Sequence, residues 1–434
     1  MAREYYYIKE LTAELKDKKV QVRGWVHRQR ASKKIAFIVL RDGTGLLQCT
    51  AKLANFSEDI FEQIATVKYE SSIIVGGTLV EDSRAPSGYE LQLDSFEIIQ
   101  LAETFPITKD QSDAFLLDHR HLWVRSQRLT HSFRIKAKIL EGAREFFREK
   151  GYLEVTPPII TGSSCEGGST LFKMDYFGKP AFLSQSAQLY LETLIFAHQK
   201  VYSLTPSFRA EKSRTNRHLA EYWHLEAEAA FVDLNGIMDL EDGLICAMIH
   251  KAAREEPEAL KALGRDPADL LKIQAPFERI KYDEAVDIIN TRGAHQGIQL
   301  PWGEDFGIPH ERVLTEKLTA PMHVTHFPRQ IKAFYMKTLD GKTAECNDLL
   351  APEGYGEIIG SSQREEDIKV ITENLLRDGS ELADYEWYLD LRRYGSVPHS
   401  GFGLGVERIM RWIATLDHIR DTIPYPRVMN RNTP

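Results

Sequence analysis

GFGLGVERIMRWI, residues 401–413, is the stretch that decides the fold. Three glycines alternate with Phe402 and Leu404 as along a strand, and from Val406 the apolar residues recur at helical spacing. A period of two puts the three glycines on one face, where missing side chains let a ligand or another backbone come close. The spacing is GxGxG, and no strand-helix-strand unit surrounds it, so the GxGxxG dinucleotide fingerprint is excluded. Arg408 projects from the first turn of the helix that follows. A planar guanidinium beside a glycine-lined floor suits phosphate oxygens; the plainer alternative is a surface arginine at a helix start.

Further upstream, VYSLTPSFRAE at 201–211 alternates as a strand and sets Arg209 and Glu211 on its more polar face. The loop KSRTNRHLAEYW at 212–223 carries Lys212, Arg214, Arg217 and His218, and HLEAEAAF at 224–231 returns with His224, Glu226 and Glu228 on one side. Cations thus stand beside carboxylates on one sheet face, as in a binding site or in a surface ladder of ion pairs. Before this hairpin, a long amphipathic helix is expected from about His131, with Ile135, Ile139, Ala143 and Phe146 at helical spacing; Gly151 ends it ahead of YLEV and TPP. Helices and strands then alternate irregularly, with antiparallel hairpins expected at 200–231 and 333–350. The class is α+β: an antiparallel sheet flanked by helices. Asp348 and Glu357 bracket LLAPEGYG, and two carboxylates across a turn can hold magnesium or can be an ordinary solvated acidic turn. His323 and His326, three apart on a strand, face opposite ways and make no zinc pair. Gly341-Lys342-Thr343 imitates the end of a phosphate loop, but Met336 stands where its first glycine is required, and Asp340-Gly341 reads as a hairpin turn.

The N-terminal quarter reads differently. KVQVRGWV at 19–26, IAFIVLRDGTGLLQCT at 35–50 with a turn at Asp42-Gly43, SSIIVGGTLV at 71–80 and YELQLDSFEII at 89–99 after the turn Ala85-Pro86-Ser87-Gly88 predict a small OB-type β-barrel. RGWVHRQRASKK at 23–34 adds five Lys or Arg and one His beside Trp25 and Phe37, which suits single-stranded nucleic acid or, more plainly, a solvated hairpin. Periodicity fades between the two regions, which predicts domains at 1–103 and 131–434 joined by a linker or hinge at 104–130. The 434 residues carry 55 Lys and Arg against 63 Asp and Glu, a net charge of −8, so the chain is no general polyanion binder and any nucleic-acid contact is local. With 43% hydrophobic and 27% charged residues, an ordinary globular protein is expected. No apolar run approaches the ~18 residues of a membrane span and no secretory core opens the chain, so a soluble cytoplasmic protein without membrane contact is expected. Cysteines 49, 165, 246 and 346 are far apart, with no CxxC, and are read as free thiols.

In chain order, GYLEVTPP at 151–158, FRAE at 208–211 with its basic loop, and GFGLGVER at 401–408 resemble motifs 1, 2 and 3 of class II aminoacyl-tRNA synthetases. A barrel ahead of such a core resembles the aspartyl, asparaginyl and lysyl subgroup. SQSAQLYLE at 184–192, IKAFYMK at 331–337 and APEGYGEIIGSSQRE at 351–365 resemble its asparaginyl members. The resemblance implies ATP-dependent ligation of L-asparagine to tRNA(Asn) through asparaginyl-adenylate, with release of pyrophosphate and AMP. It assigns Arg209 to the α-phosphate of ATP, Glu211 and Tyr222 to adenine, and His218 and Arg408 to the outer phosphates. Arg209 and Arg408 are thereby the expected catalytic pair. Asp348 and Glu357 are the implied Mg2+ ligands, with Glu357 also at the ATP site, and Gly360 stands where archaeal aspartyl enzymes show a serine that helps hold the metal. Glu166 is implied at the substrate's α-amino group, with Gln188 nearby. Glu226 and Arg364 are expected at the side-chain amide, one accepting and one donating. Aspartyl enzymes end QSPQLYK in a lysine, whereas QSAQLYL here puts Leu191 at that place. Arg30, Phe37 and Gln48 fall on positions that resemble an anticodon-reading set, and motif 1, with Pro157 and Pro158, implies a homodimer. Three other readings stay open: a non-discriminating aspartyl-tRNA synthetase, an asparagine synthetase-like paralogue, and an inactive tRNA-binding regulator. Leu191 counts against the first, the barrel against the second, and the full set Arg209, Glu211, His218, Glu357 and Arg408 against the third.

Overall fold

The computed structural model describes residues 5–85, 87–162, 165, 170–213 and 215–434; Pro86 of the expected turn, Glu166 and Arg214 lie outside them. The chain divides between Leu116 and Leu117 into two compact units, within the stretch 104–130. No helix among the described residues is long and apolar enough to cross a membrane.

The first unit is a closed barrel of β1 (Lys19–Ala31), β2 (Ile35–Arg41), β3 (Leu46–Lys52), β4 (Ser72–Glu81) and β5 (Tyr89–Gln100), in the order β1-β2-β3-β5-β4. Its β3·β5 pair is parallel and the others are antiparallel, an arrangement that leaves no open edge. Alternation along β2 buries Ala36, Ile38 and Leu40 and turns Phe37 and Val39 outward. Cys49 is sealed in the barrel core with Val22, Leu47 and Leu91, where burial pushes its thiol far up. The helix Glu58–Thr66, capped by Ser57, adds Phe61 and Ile64 to that core.

The second unit carries β6 (Leu153–Glu154), β7 (Ile160–Thr161), β8 (Lys173–Tyr176), β9 (Lys179–Leu183), β10 (Lys200–Phe208), β11 (Glu221–Ala230), β12 (Glu278–Lys281), β13 (Met322–Thr325), β14 (Cys346–Ala351), β15 (Gly356–Gln363) and β16 (His399–Gly405). Eight of them form one sheet in the order β12-β13-β14-β15-β16-β11-β10-β6, and β7, β9 and β8 form a small one. The large sheet is antiparallel through its middle, as expected, but both edges are parallel: β12 with β13 and β6 with β10. Each edge strand returns by a crossover that contains helix, and such connections give parallel neighbours.

Several boundaries differ from the expectations. The long helix begins at Gln127, a turn before His131, because Ser126 caps it by accepting from the Leu129 N–H. The ladder of β10 ends at Phe208, so Arg209 is the first residue beyond the strand. Phe231 lies past the end of β11 at φ +63, an exposed residue in the left-handed region. The hairpin expected at 333–350 shrinks to a bridge between Thr338 and Ala344 around Asp340-Gly341; the continuous ladder is β14 with β15, whose turn is APEGYG.

The helices Gln127–Glu149 and Leu234–Glu255 cover one face of the sheet, packing Ile135, Ile139, Phe147 and Met248 against Leu225, Ala227, Phe402 and Leu404. Phe147 stacks on Tyr202 at 4.2 Å. Alternation then turns Glu226 of β11, Asp348 of β14, Glu357 of β15 and the bare Gly403 of β16 to the opposite face.

Candidate active site

That opposite face floors a cavity of about 340 Å³. Arg209, Glu211, His218, Tyr222, Glu357 and Arg408 line it, together with Asp348. Gln188, Glu226 and Arg364 line it as well. Every described residue expected at ATP, metal or amino acid thus meets at one place; Glu166 is outside the described residues. Arg30, Phe37 and Gln48 line a separate concavity on the barrel.

The two glycines nearest the strand centre make room for side chains of the neighbouring strand. A side chain on Gly401 would begin 2.1 Å from the Glu228 carboxyl carbon, and one on Gly403 would begin 2.5 Å from His224 Nε2. The neighbouring strand β11 pairs Glu228 with Gly401 and Glu226 with Gly403, so the bare positions on β16 hold the side chains of β11 against the floor. Glycine spacing alone could not tell a ligand from a neighbouring side chain.

Arg408 stands in the first turn of the helix Val406–Ile413 and meets Glu357 at 2.9 Å. Burial pushes Glu357 up, but Arg408, Lys332 and Arg217 outweigh it and hold the carboxyl at about 2. Lys332 reaches Asp348 at 2.7 Å; burial, opposed by Lys332 and reinforced by Glu357, pushes Asp348 up to about 7. Glu357 Oε1 and Asp348 Oδ1 come within 3.6 and 3.9 Å of where a side chain on Gly360 would begin. Arg217 is committed to Glu311 through both terminal nitrogens, at 2.5 and 2.7 Å, while Arg209, Arg364 and Arg408 are the other guanidiniums that line the cavity. The Arg209 guanidinium lies 5.6 Å over the Tyr222 ring. Burial, helped by Arg408, lowers His218, which sits 3.9 Å from Glu211.

At the other end, Glu226 accepts from the Ser186 hydroxyl and from the Ala187 N–H at 2.8 Å. Arg364 is buried over Tyr335, donates to Ser362 at 2.7 Å and pairs with Glu228. The sequence reading placed Glu228 on the correct face without seeing that it pairs with Arg364, which is 136 residues away. Lys332, Glu192 and Glu407 were missed too. All three lie inside stretches that resemble family motifs; Glu407, next to Arg408, takes Lys136 at 2.5 Å and the Trp223 N–H at 2.9 Å, partners that no local pattern reveals.

On the barrel, the Arg30 guanidinium lies 4.6 Å over the Phe37 ring, its partner in the β1·β2 register. Gln48 donates to Glu90 at 2.7 Å. His27, Arg28, Tyr69 and Arg84 extend the same concavity.

The chain is 47% identical over 418 residues to the asparagine–tRNA ligase of Thermoplasma acidophilum, which covers 96% of each protein. Residues 112–429 match the family of class II tRNA synthetases (D, K and N). The chain belongs to the class II asparagine–tRNA ligases. Residues 20–99 match the OB-fold nucleic acid binding domain. The ligase of Thermococcus kodakarensis is 48% identical over 431 residues, 99% of each chain. The fold superposes at a TM-score of 0.95 and 46% identity on asparaginyl-tRNA synthetase from Pyrococcus horikoshii complexed with asparaginyl-adenylate, covering all of both chains.

Proposed function

We propose that this ligase joins L-asparagine to ATP as asparaginyl-adenylate, releases pyrophosphate, and passes the asparaginyl group to tRNA(Asn) with release of AMP in the cytoplasm. One observation carries the reading: a single cavity has Arg209 and Arg408 among its walls together with the donor and acceptor pair Arg364 and Glu226. In the first step an oxygen of the asparagine carboxylate attacks the α-phosphorus and the bond to pyrophosphate breaks. No protein nucleophile is required. Arg209 holds the α-phosphate, where negative charge builds, while Arg408 and His218 hold the outer phosphates and Glu211 and Tyr222 the adenine. In the second step the terminal ribose 3′-hydroxyl of tRNA attacks the carbonyl carbon of the adenylate, and AMP leaves.

Asp348 and Glu357 fit Mg2+: two carboxylates converge beside Gly360, where no side chain fills the space. Among the described residues no third His, Cys, Asp or Glu joins them, so water and phosphate oxygens complete such a site. When bound, the ion neutralises phosphate charge. Gln188 and Glu166 serve the α-amino end of asparagine. Phe37 offers a stacking platform for an anticodon base, Gln48 reads a base edge and Arg30 meets the backbone. Exposed Leu153, Ile159 and Ile160 beside Pro157 and Pro158 provide an apolar face for a second copy of the chain; sedimentation that finds only monomer at micromolar concentration would remove the homodimer from this reading.

The deciding measurement is magnesium-dependent ATP–pyrophosphate exchange without tRNA, with asparagine and aspartate at matched concentrations. Exchange with asparagine alone is expected. Equal exchange with aspartate overturns the pocket assignment, and silence with both overturns the activity.

A further inference from the structure

Glu192 lies behind the amino-acid end of the cavity and is completely buried. It stands one turn along the helix Gln188–His198 from Gln188 and is divided in its duties. Its Oε2 is anchored at the back by the Tyr388 hydroxyl at 2.7 Å, Arg392 at 3.0 Å and His399 Nε2 at 3.0 Å. Its Oε1 is turned forward, accepting from Gln188 Nε2 at 3.1 Å and lying 4.0 Å from Arg364 Nε. Gln188 and Arg364 both line the cavity. A carboxylate held by three donors on one oxygen cannot follow movements of the two side chains it touches with the other; it sets them.

We propose that Glu192 is a positioning residue that fixes Gln188 and Arg364 and balances the charge of Arg364, so that this arginine offers N–H donors to an uncharged amide but no surplus charge to a carboxylate. The inference rests on the reading of the cavity as an asparagine site. Burial would raise Glu192, but Arg392 and His399 outweigh it and keep it ionised, well below the usual range. Glu228, the direct partner of Arg364, is instead pushed up to about 7 by burial and by Glu192 despite Arg364. Glu192 thus sets a fixed negative charge 4.0 Å from Arg364, behind the carboxyl of Glu228 that pairs with it directly. With that charge in place, an aspartate side chain brings an additional anion into a buried cluster that already holds two carboxylates; an asparagine side chain brings none.

The test is pyrophosphate exchange and competitive inhibition on the full chain, with the ratio of aspartate to asparagine as the readout. Glu192→Gln removes the charge at constant shape. The ratio is expected to rise by about tenfold or more, with the KM for ATP within about twofold of the parent. A fall of both amino acids together, with the ratio unchanged, assigns Glu192 a merely structural role and overturns the proposal. His399→Phe keeps the carboxylate and removes a donor behind it, and decides the matter if the first variant does not fold. Here the ratio is expected to stay or fall; a rise would mean that loosening alone admits aspartate. Absence of asparagine-dependent exchange in the parent chain would instead sink the function proposed above.

Discussion

Arg408 illustrates how much one side chain can be asked to do without being a reactive group. It offers a fixed charge to phosphates and meanwhile keeps Glu357 ionised at 2.9 Å. Arg408→Ala is expected to lower asparagine-dependent exchange by at least about a hundredfold, the scale of losing one preorganised transition-state donor. Its effect on urea unfolding should stay within about 1 kcal/mol, because the pair is partly exposed. Normal turnover in that variant would strip Arg408 of its role. Arg209, Arg408 and Asp348 were singled out in the sequence through their resemblance to family motifs, although Arg209 lies just past the strand on which alternation had placed it. Glu192 was not, since its meaning comes from Arg392 and His399, some 200 residues away, and neither position looks unusual in isolation.

At the level of strands and helices, the β11·β16 ladder is built so that one strand's bulk fills the other's bareness. Gly401→Ala would drive a methyl group into Glu228, and should cost roughly 1–3 kcal/mol of stability while raising the KM for asparagine more than that for ATP. Equal changes in the two constants would mean that the strand, and not Glu228, was disturbed. On the opposite face, the helix Leu234–Glu255 carries Glu241, fully buried against Asn347 of β14, with an Oε1 that makes no hydrogen bond among the described residues. Burial, opposed by His323, pushes Glu241 up to about 7 from its ordinary 4.5. A carboxyl raised in this way keeps a proton that the unfolded chain gives up, so the fold loses stability as pH climbs from about 4.5 to about 7. Glu241→Gln should therefore gain on the parent protein across that window and hold a constant lead above it, as denaturation at a series of pH values will show; a lead that does not change with pH disproves the assignment. The strands themselves were read well wherever alternation was strict. Their ends and the parallel edges were not, because an N-cap such as Ser126 and the return of an edge strand are decided by tertiary surroundings.

For the molecule as a whole, two units with separate cores predict separable losses. Phe37→Ala on the barrel should raise the KM for tRNA roughly tenfold or more, as expected from losing one base stack, and leave tRNA-free exchange unaltered. A variant that charges tRNA(Asn) normally would remove Phe37 from the anticodon surface. The split between barrel and α+β core was readable from the change of hydrophobic period near residue 100, while the division itself at Leu116 and Leu117 carries no compositional mark. Each unit also encloses a thiol: Cys49 inside the barrel and Cys346, buried at the start of β14 in the large sheet, the latter pushed up to about 12 chiefly by burial. Neither can be alkylated until its own surroundings open. Mass-spectrometric alkylation rates at the two cysteines thus clock the opening of each unit within one intact chain, with no label introduced. Any difference between the two clocks measures how far the units breathe independently.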